Sequence, residues 1–254
     1  MKIVVKLGGR VQSDPQLACE VKSLWQRASG SLCIVHGGGD EVTLLQRQLG
    51  REPAFLNGRR ITTVEDLALV RMVLSGSANK RLVSALSAEG IPAVGISGED
   101  GSLLSAEPID VAQLGRAGSP LPPNPRIIET LMENGFLPVV SPVATDATST
   151  TGEAINVNGD DAAAAIAASL GAELWMIADV AGVLDGNRSV VHELDQAETQ
   201  SLVESGTVNR GMLAKLEAGF AALNAGSPVV RIASVEAFSD PQAGTFLTLS
   251  PSMR

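Results

Sequence analysis

The stretch Leu32-Cys-Ile-Val-His36-Gly37-Gly38-Gly39, followed at once by Glu41–Leu49, decides the fold class. Leu32–Val35 is apolar at every position, which suits a strand covered on both faces. Val42, Leu45 and Leu49 recur at helical spacing, so three glycines stand where a strand hands over to a helix. The same unit recurs elsewhere. Lys2–Leu7 ends at Gly8-Gly9 before a helix over Pro15–Ala28, and Glu173–Ile177 ends at Asp179–Leu184. Pro92–Ile96, Leu137–Val140 and Val229–Ile232 read as further strands. Val64–Leu74, Ala78–Ala88, Asn124–Glu133, Ala162–Leu170, Glu198–Ser205 and Arg210–Ala225 read as helices. Leu103–Val111 reads as a hairpin, and proline-rich Gly118–Pro125 as a surface connection. Such alternation predicts an α/β fold: a three-layer αβα sandwich with an open, mainly parallel central sheet. Ligands of such sheets lie beyond the carboxyl ends of the strands, which gathers the three turns into one candidate site.

Composition removes several alternatives. The chain has 254 residues, a net charge of −9 and 3% aromatics with no Tyr, so neither a phosphate backbone nor stacked bases find a partner here. No nucleic-acid partner is expected. Ala162–Ala178, the most apolar region, is broken by Gly171 and Glu173 below the ~20 residues of a membrane span. Strand-like Lys2–Leu7 starts without a charged-then-apolar leader, so a cytoplasmic protein with no membrane partner is expected. Cys19 and Cys33 read as buried or partly buried thiols, and His36 and His192 are too few for a multi-histidine metal centre. Metal-ligating residues: none.

Lysine is scarce, at positions 2, 6, 22, 80 and 215 only, so Lys6 beside Gly8-Gly9 is informative. Glycines let backbone N–H groups approach a phosphate, and Lys6 adds charge. Neither a Walker loop nor a Gly-x-Gly-x-x-Gly fingerprint is present. Gly37–Gly39 is not the oxyanion motif of an esterase, because Gly95-Ile-Ser97-Gly98-Glu99 lacks the last glycine of a nucleophile elbow. An anion nest at a helix N-terminus remains. Asn156-Val-Asn158-Gly-Asp160 opens an alanine-rich helix that Asn158 or Asp160 can cap. Arg60 follows a turn, Asn57-Gly-Arg-Arg60, and can hold a carboxylate with two parallel hydrogen bonds; neighbouring Arg59 reads as a solvated surface residue. Lys215, in Gly211-Met-Leu-Ala-Lys215, lies on an otherwise apolar helix, either reaching solvent or a transferring phosphoryl group.

Taken together, Lys6–Gly9, His36–Gly39, Phe55–Arg60, Ala78–Lys80, Asn134–Val140, Asn156–Asp160, Asp179–Leu184 and Gly211–Lys215 resemble the amino acid kinase family, over essentially the whole chain. The N-acetyl-L-glutamate kinase branch is the best match. The resemblance implies ATP-dependent phosphorylation of the γ-carboxylate of N-acetyl-L-glutamate, in arginine biosynthesis, with Mg²⁺ arriving on ATP. It implies residues 1–172 as an acyl-amino-acid lobe and 173–254 as an ATP lobe. Lys6 and Lys215 would stabilise the transferring group, with Asp160 holding both. Gly8, Gly9 and Gly38 would bind phosphates, and Gly38 and Gly39 would bound the reacting carboxylate. Arg60 would clamp the α-carboxylate and Asn156 the α-substituted end. Asp179-Val180-Ala181-Gly182-Val183-Leu184 with Thr207-Val208-Asn209 would form the adenosine pocket. A γ-carboxylate, with a pKa of about 4.3, is already ionised at neutral pH, so no base is needed. Arg10, Asp40, Glu99 and Ala178 depart from the usual pattern, and none is expected to touch a motif side chain.

The rival readings are a kinase of carrier-linked aminoadipate or glutamate, another N-acyl-glutamate as substrate, and a catalytically silent binding protein. The first typically has Asp where this chain has Asn158, and a longer basic insertion before the arginine. A homodimer without arginine feedback is expected.

Overall fold

The computed structural model describes residues 1–28 and 30–249. The chain lays down β1 (Ile3–Leu7), α1 (Leu17–Arg27), β2 (Leu32–His36) and α2 (Gly39–Gln48), then a short arm of β3 (Phe55–Leu56) and β4 (Arg59–Arg60). α3 (Val64–Arg71) continues through a π-helical segment, Met72–Ala78, into α4 (Asn79–Ala88) and β5 (Ala93–Ser97). Next come β6 (Ser105–Pro108), α5 (Val111–Leu114), β7 (Ala117–Pro120), α6 (Arg126–Glu133), β8 (Leu137–Ser141), β9 (Val143–Asp146), β10 (Ala154–Val157) and α7 (Gly159–Leu170). The remainder is β11 (Glu173–Ile177), β12 (Glu193–Leu194), α8 (Gln196–Glu204), α9 (Arg210–Asn224), β13 (Val230–Ala233) and β14 (Thr245–Leu247).

Eight strands form one sheet in the order β12-β14-β13-β11-β1-β2-β8-β5, parallel except for the β13–β14 pair. Side chains alternate across it. Val4, Cys33, Val35 and Leu174 pack with α7 and α9 on one face. Ile3, Val5, Leu7, Leu32 and Ile34 pack with α1 and α4 on the other. Both faces are covered, which is why the strands read as unbroken apolar runs, and the predicted three layers are present.

The differences lie between β5 and α7. β6, β7, β9 and β10 close into a small barrel beside the main sheet. The expected hairpin at Leu103–Val111 is instead strand β6 alone, pairing with β7 beyond a short helix. Asp110 starts that helix by accepting from Gln113 N at 3.0 Å, and Gly115, at φ 63°, ends it. Gly118–Pro120, expected within a surface connection, belongs to β7; the first proline ends the strand, where no donor is needed. The helices expected at Val64–Leu74 and Ala78–Ala88 are one continuous run, its middle turn widened around Gly76. Cys33 is buried, whereas Cys19 is exposed.

Candidate active site

Strand alternation aims Lys6. Val4 faces α7, so Lys6, two positions on, points to the same side, buried at the first turn of that helix. Asn158 caps α7 by accepting the amide of Asp160 at 2.8 Å, leaving the Asp160 side chain free to turn inward. Lys6 Nζ lies 2.8 Å from Asp160 Oδ1, and Lys215 Nζ, from α9, lies 3.0 Å from Oδ2. Burial alone would raise the Asp160 carboxyl, but the two ammonium groups outweigh it and hold it below the ordinary carboxylate range. Burial, and then the charge of Lys6, pulls Lys215 below its usual value against the attraction of Asp160. Two cations thus share one buried anion and keep a net positive charge.

Parallel register brings the turns to the same level. Leu7 pairs with both His36 and Ile177, so β1, β2 and β11 end together. A cavity of about 240 Å³ opens there, lined by Lys6, Gly9, Gly38, Gly39, Arg60, Asn156 and Asp160 among others. The N-termini of α2 and α7 both border it, adding their partial positive charge to the lysines. An anion with its own hydrogen-bonding oxygens is the ligand such a space favours.

Some expected contacts take another form. The Gly8 N–H does not point into the cavity: it continues the sheet by donating to Ile177 O at 2.9 Å. Gly9 lines the cavity. Gly38 is confined by packing, since a Cβ there would stand 2.8 Å from Leu74 Cδ2. Arg60 lies in the β4 arm and is buried. Its Nη2 donates to Gly39 O at 2.7 Å and Thr43 Oγ1 at 2.8 Å, its Nη1 donates to Gln46 Oε1, and it lies over the Phe55 ring. That guanidinium is pinned to α2 and does not present the open fork expected of it. Asn156 Nδ2 donates to Thr62 Oγ1 at 3.0 Å, tying the barrel to the arm.

Arg59 is not a solvated surface residue. It meets Asp161 at 2.6 Å, half-buried on the cavity wall. Arg10 does touch a motif side chain, lying 3.1 Å from Asp179 Oδ2 and 3.9 Å from Asp40 Oδ2. Both departures escaped the sequence because their partners lie far along the chain. His36 is wholly buried and structural: Asn79 Nδ2 stands 3.1 Å from its Nε2, and Gly37 O 3.0 Å from its Nδ1.

The remaining nucleotide candidates lie outside the lining of this cavity, beyond β11 and before α9. Asp179 is exposed, and Val180 and Ala181 follow it. Gly182 is packed under Thr245 and Val190, and Val183 is buried, its N–H donating to Thr245 Oγ1 at 2.8 Å. Leu184 pairs with Val190. Thr207 and Val208 are half-buried, and Asn209 caps α9 by accepting from Met212 N at 2.9 Å.

The architecture and the paired lysines define a class. The sequence pattern of the amino acid kinase family matches residues 1–234, and the chain belongs to that family. Its relatives include the acetylglutamate kinase of Geobacillus kaustophilus, 42% identical over 236 residues, covering 91% of this chain and 89% of that one. The acetylglutamate kinase of Cereibacter sphaeroides is 38% identical over 257 residues, covering 96% and 87%. Among solved structures, smu.665 of Streptococcus mutans superposes with a TM-score of 0.85 at 28% identity, covering 97% of this chain and 98% of that one.

Proposed function

We propose that this kinase transfers the terminal phosphoryl group of ATP to the side-chain carboxylate of N-acetyl-L-glutamate, giving N-acetyl-L-glutamyl 5-phosphate and ADP, a step of arginine biosynthesis. The observation that carries the reading is the meeting of Lys6 and Lys215 on Asp160 beside a cavity bordered by two helix N-termini. Two anions must approach one another in this reaction. Fixed cations and amide dipoles lower that barrier without reorganising during the step. Asp160 has both oxygens engaged by ammonium groups, so it positions the lysines and accepts no proton.

In this reading Gly38 and Gly39 bound the reacting carboxylate, Asn156 recognises the acyl-bearing end, and Arg60, which lines the cavity with its guanidinium held on α2, supplies positive charge toward the α-carboxylate. Gly9 and Gly38 meet the phosphates. The residues from Asp179 to Leu184 and from Thr207 to Asn209 surround the nucleotide, so residues 1–172 serve the amino acid and 173–254 serve ATP. Mg²⁺ would be held by phosphate oxygens and water, where it neutralises phosphate charge. That fits an Asp160 already committed to lysine. A cytoplasmic homodimer is part of the proposal. Sizing in solution tests it. No described helix is long and apolar enough to cross a membrane.

The activity is tested by ADP release with N-acetyl-L-glutamate, Mg²⁺ and ATP, the acyl phosphate being trapped by hydroxylamine as a hydroxamate. ADP formation that does not depend on the amino acid would overturn it.

A further inference from the structure

A second space adjoins the cavity. An apolar groove of about 470 Å³ runs between α7 and α9, walled by alanines such as Ala165 and Ala221 and roofed by Pro120–Pro123. The two spaces meet along successive residues. Gly118 lines the cavity and Ser119 the groove; Asp160 lines the cavity and Asp161 the groove; Arg59 lines both. The 2.6 Å contact between Arg59 and Asp161 therefore lies on the boundary that the two spaces share.

We infer that the Arg59–Asp161 ion pair is the end wall of the acyl pocket and sets the length of acyl group that this enzyme accepts. The inference rests on the substrate reading above. With the side-chain carboxylate beside Lys6 and the acyl-bearing end at Asn156, the acyl group is directed along Ala117-Gly118 of β7, toward Arg59. An acetyl group ends before the wall. A longer chain needs the groove, whose alanine and proline sides suit methylenes. Reaching it means separating a half-buried ion pair and leaving Asp161 unpaired beside Asp160, which opposes displacement by an uncharged chain. Arg59 acts here as a specificity-determining residue, distinct from the lysines that meet the reacting phosphoryl group.

The test compares kcat/KM for N-acetyl-, N-butanoyl- and N-hexanoyl-L-glutamate, with Mg²⁺ and ATP. It uses the wild type, Arg59→Ala, the reversed pair Arg59→Asp/Asp161→Arg, and Arg59→Ala/Ala165→Phe. The wild type should favour acetyl over hexanoyl by about 10²-fold, within the range for misfit methylenes in a shaped pocket. Arg59→Ala should narrow that ratio about tenfold, the reversed pair should restore it, and Ala165→Phe should cancel the gain by filling the groove. Asp161→Ala opens the same wall from the helix side and supplies the measurement if Arg59→Ala does not fold. An unchanged ratio in the opened variants, with N-acetyl-L-glutamate still turned over, overturns the wall alone. A gain that survives Ala165→Phe does so too. A wild type inactive on all three acids overturns the substrate reading and this inference with it.

Discussion

Lys215 reaches back 55 positions to Asp160, its Nζ 3.0 Å from Oδ2, while Lys6 occupies the other oxygen at 2.8 Å. The carboxylate is the hub, and its worth lies in where it holds the charges. Removing one ammonium leaves the fold's apolar layers intact and, in the proposed reaction, removes a partner of the phosphoryl group. Lys215→Ala should therefore lower kcat by at least ~10²-fold with a much smaller change in KM for either substrate. Steady-state kinetics on both substrates checks it, and an unchanged kcat would remove Lys215 from the chemistry.

Arg60 is held by Gly39 O, Thr43, Gln46 and the Phe55 ring. A lysine keeps the charge but cannot satisfy several acceptors in a planar fan. Arg60→Lys should raise KM for the amino acid by roughly tenfold, the scale of one lost charge-assisted hydrogen bond, and leave KM for ATP in place. An effect confined to ATP would contradict the assignment.

His36 supplies a pH dependence of stability. Asn79 Nδ2 can only donate to Nε2, so the proton sits on Nδ1 facing Gly37 O and the ring is neutral. Burial brings its pKa down to about 4. The unfolded chain, with a value near ~6.5, binds a proton that the folded chain refuses between those limits. Stability should fall as pH drops from about 6.5 toward about 4, by up to roughly 3 kcal/mol. Urea unfolding at pH 7, 5.5 and 4.5 should show this slope flattened in His36→Gln. An equal slope in both proteins would assign it elsewhere.

Arg10 follows Gly9 of the cavity lining and is three-quarters exposed, against Asp179 and more distantly Asp40. Exposed pairs of this kind contribute little to stability. Arg10→Ala should leave Tm nearly unchanged yet raise KM for ATP several-fold, because a cation beside the phosphate turn is lost. The difference from wild type should shrink in high salt, as screening weakens an exposed charge. A salt-independent difference would speak against an electrostatic role.

The layered architecture was legible because it rests on local pattern. Apolar strand runs, helical spacing and glycine turns are properties of neighbouring residues, and β1, β2, β11 and α7 fall where those patterns place them. The family match of Lys6, Asp160 and Lys215 was legible for the same reason, each lying in a short motif. What tertiary structure decided was every contact between distant segments. The small barrel of β6, β7, β9 and β10 rests on short pairings across helices and turns. The Gly8 amide went to Ile177 because β11 lies alongside β1. Arg59, which reads as a surface residue, became half-buried because the β4 arm folds onto the first turn of α7 and finds Asp161 there. Periodicity along a chain reports which face of an element is buried; the partner that meets a charged side chain is set by how the elements pack.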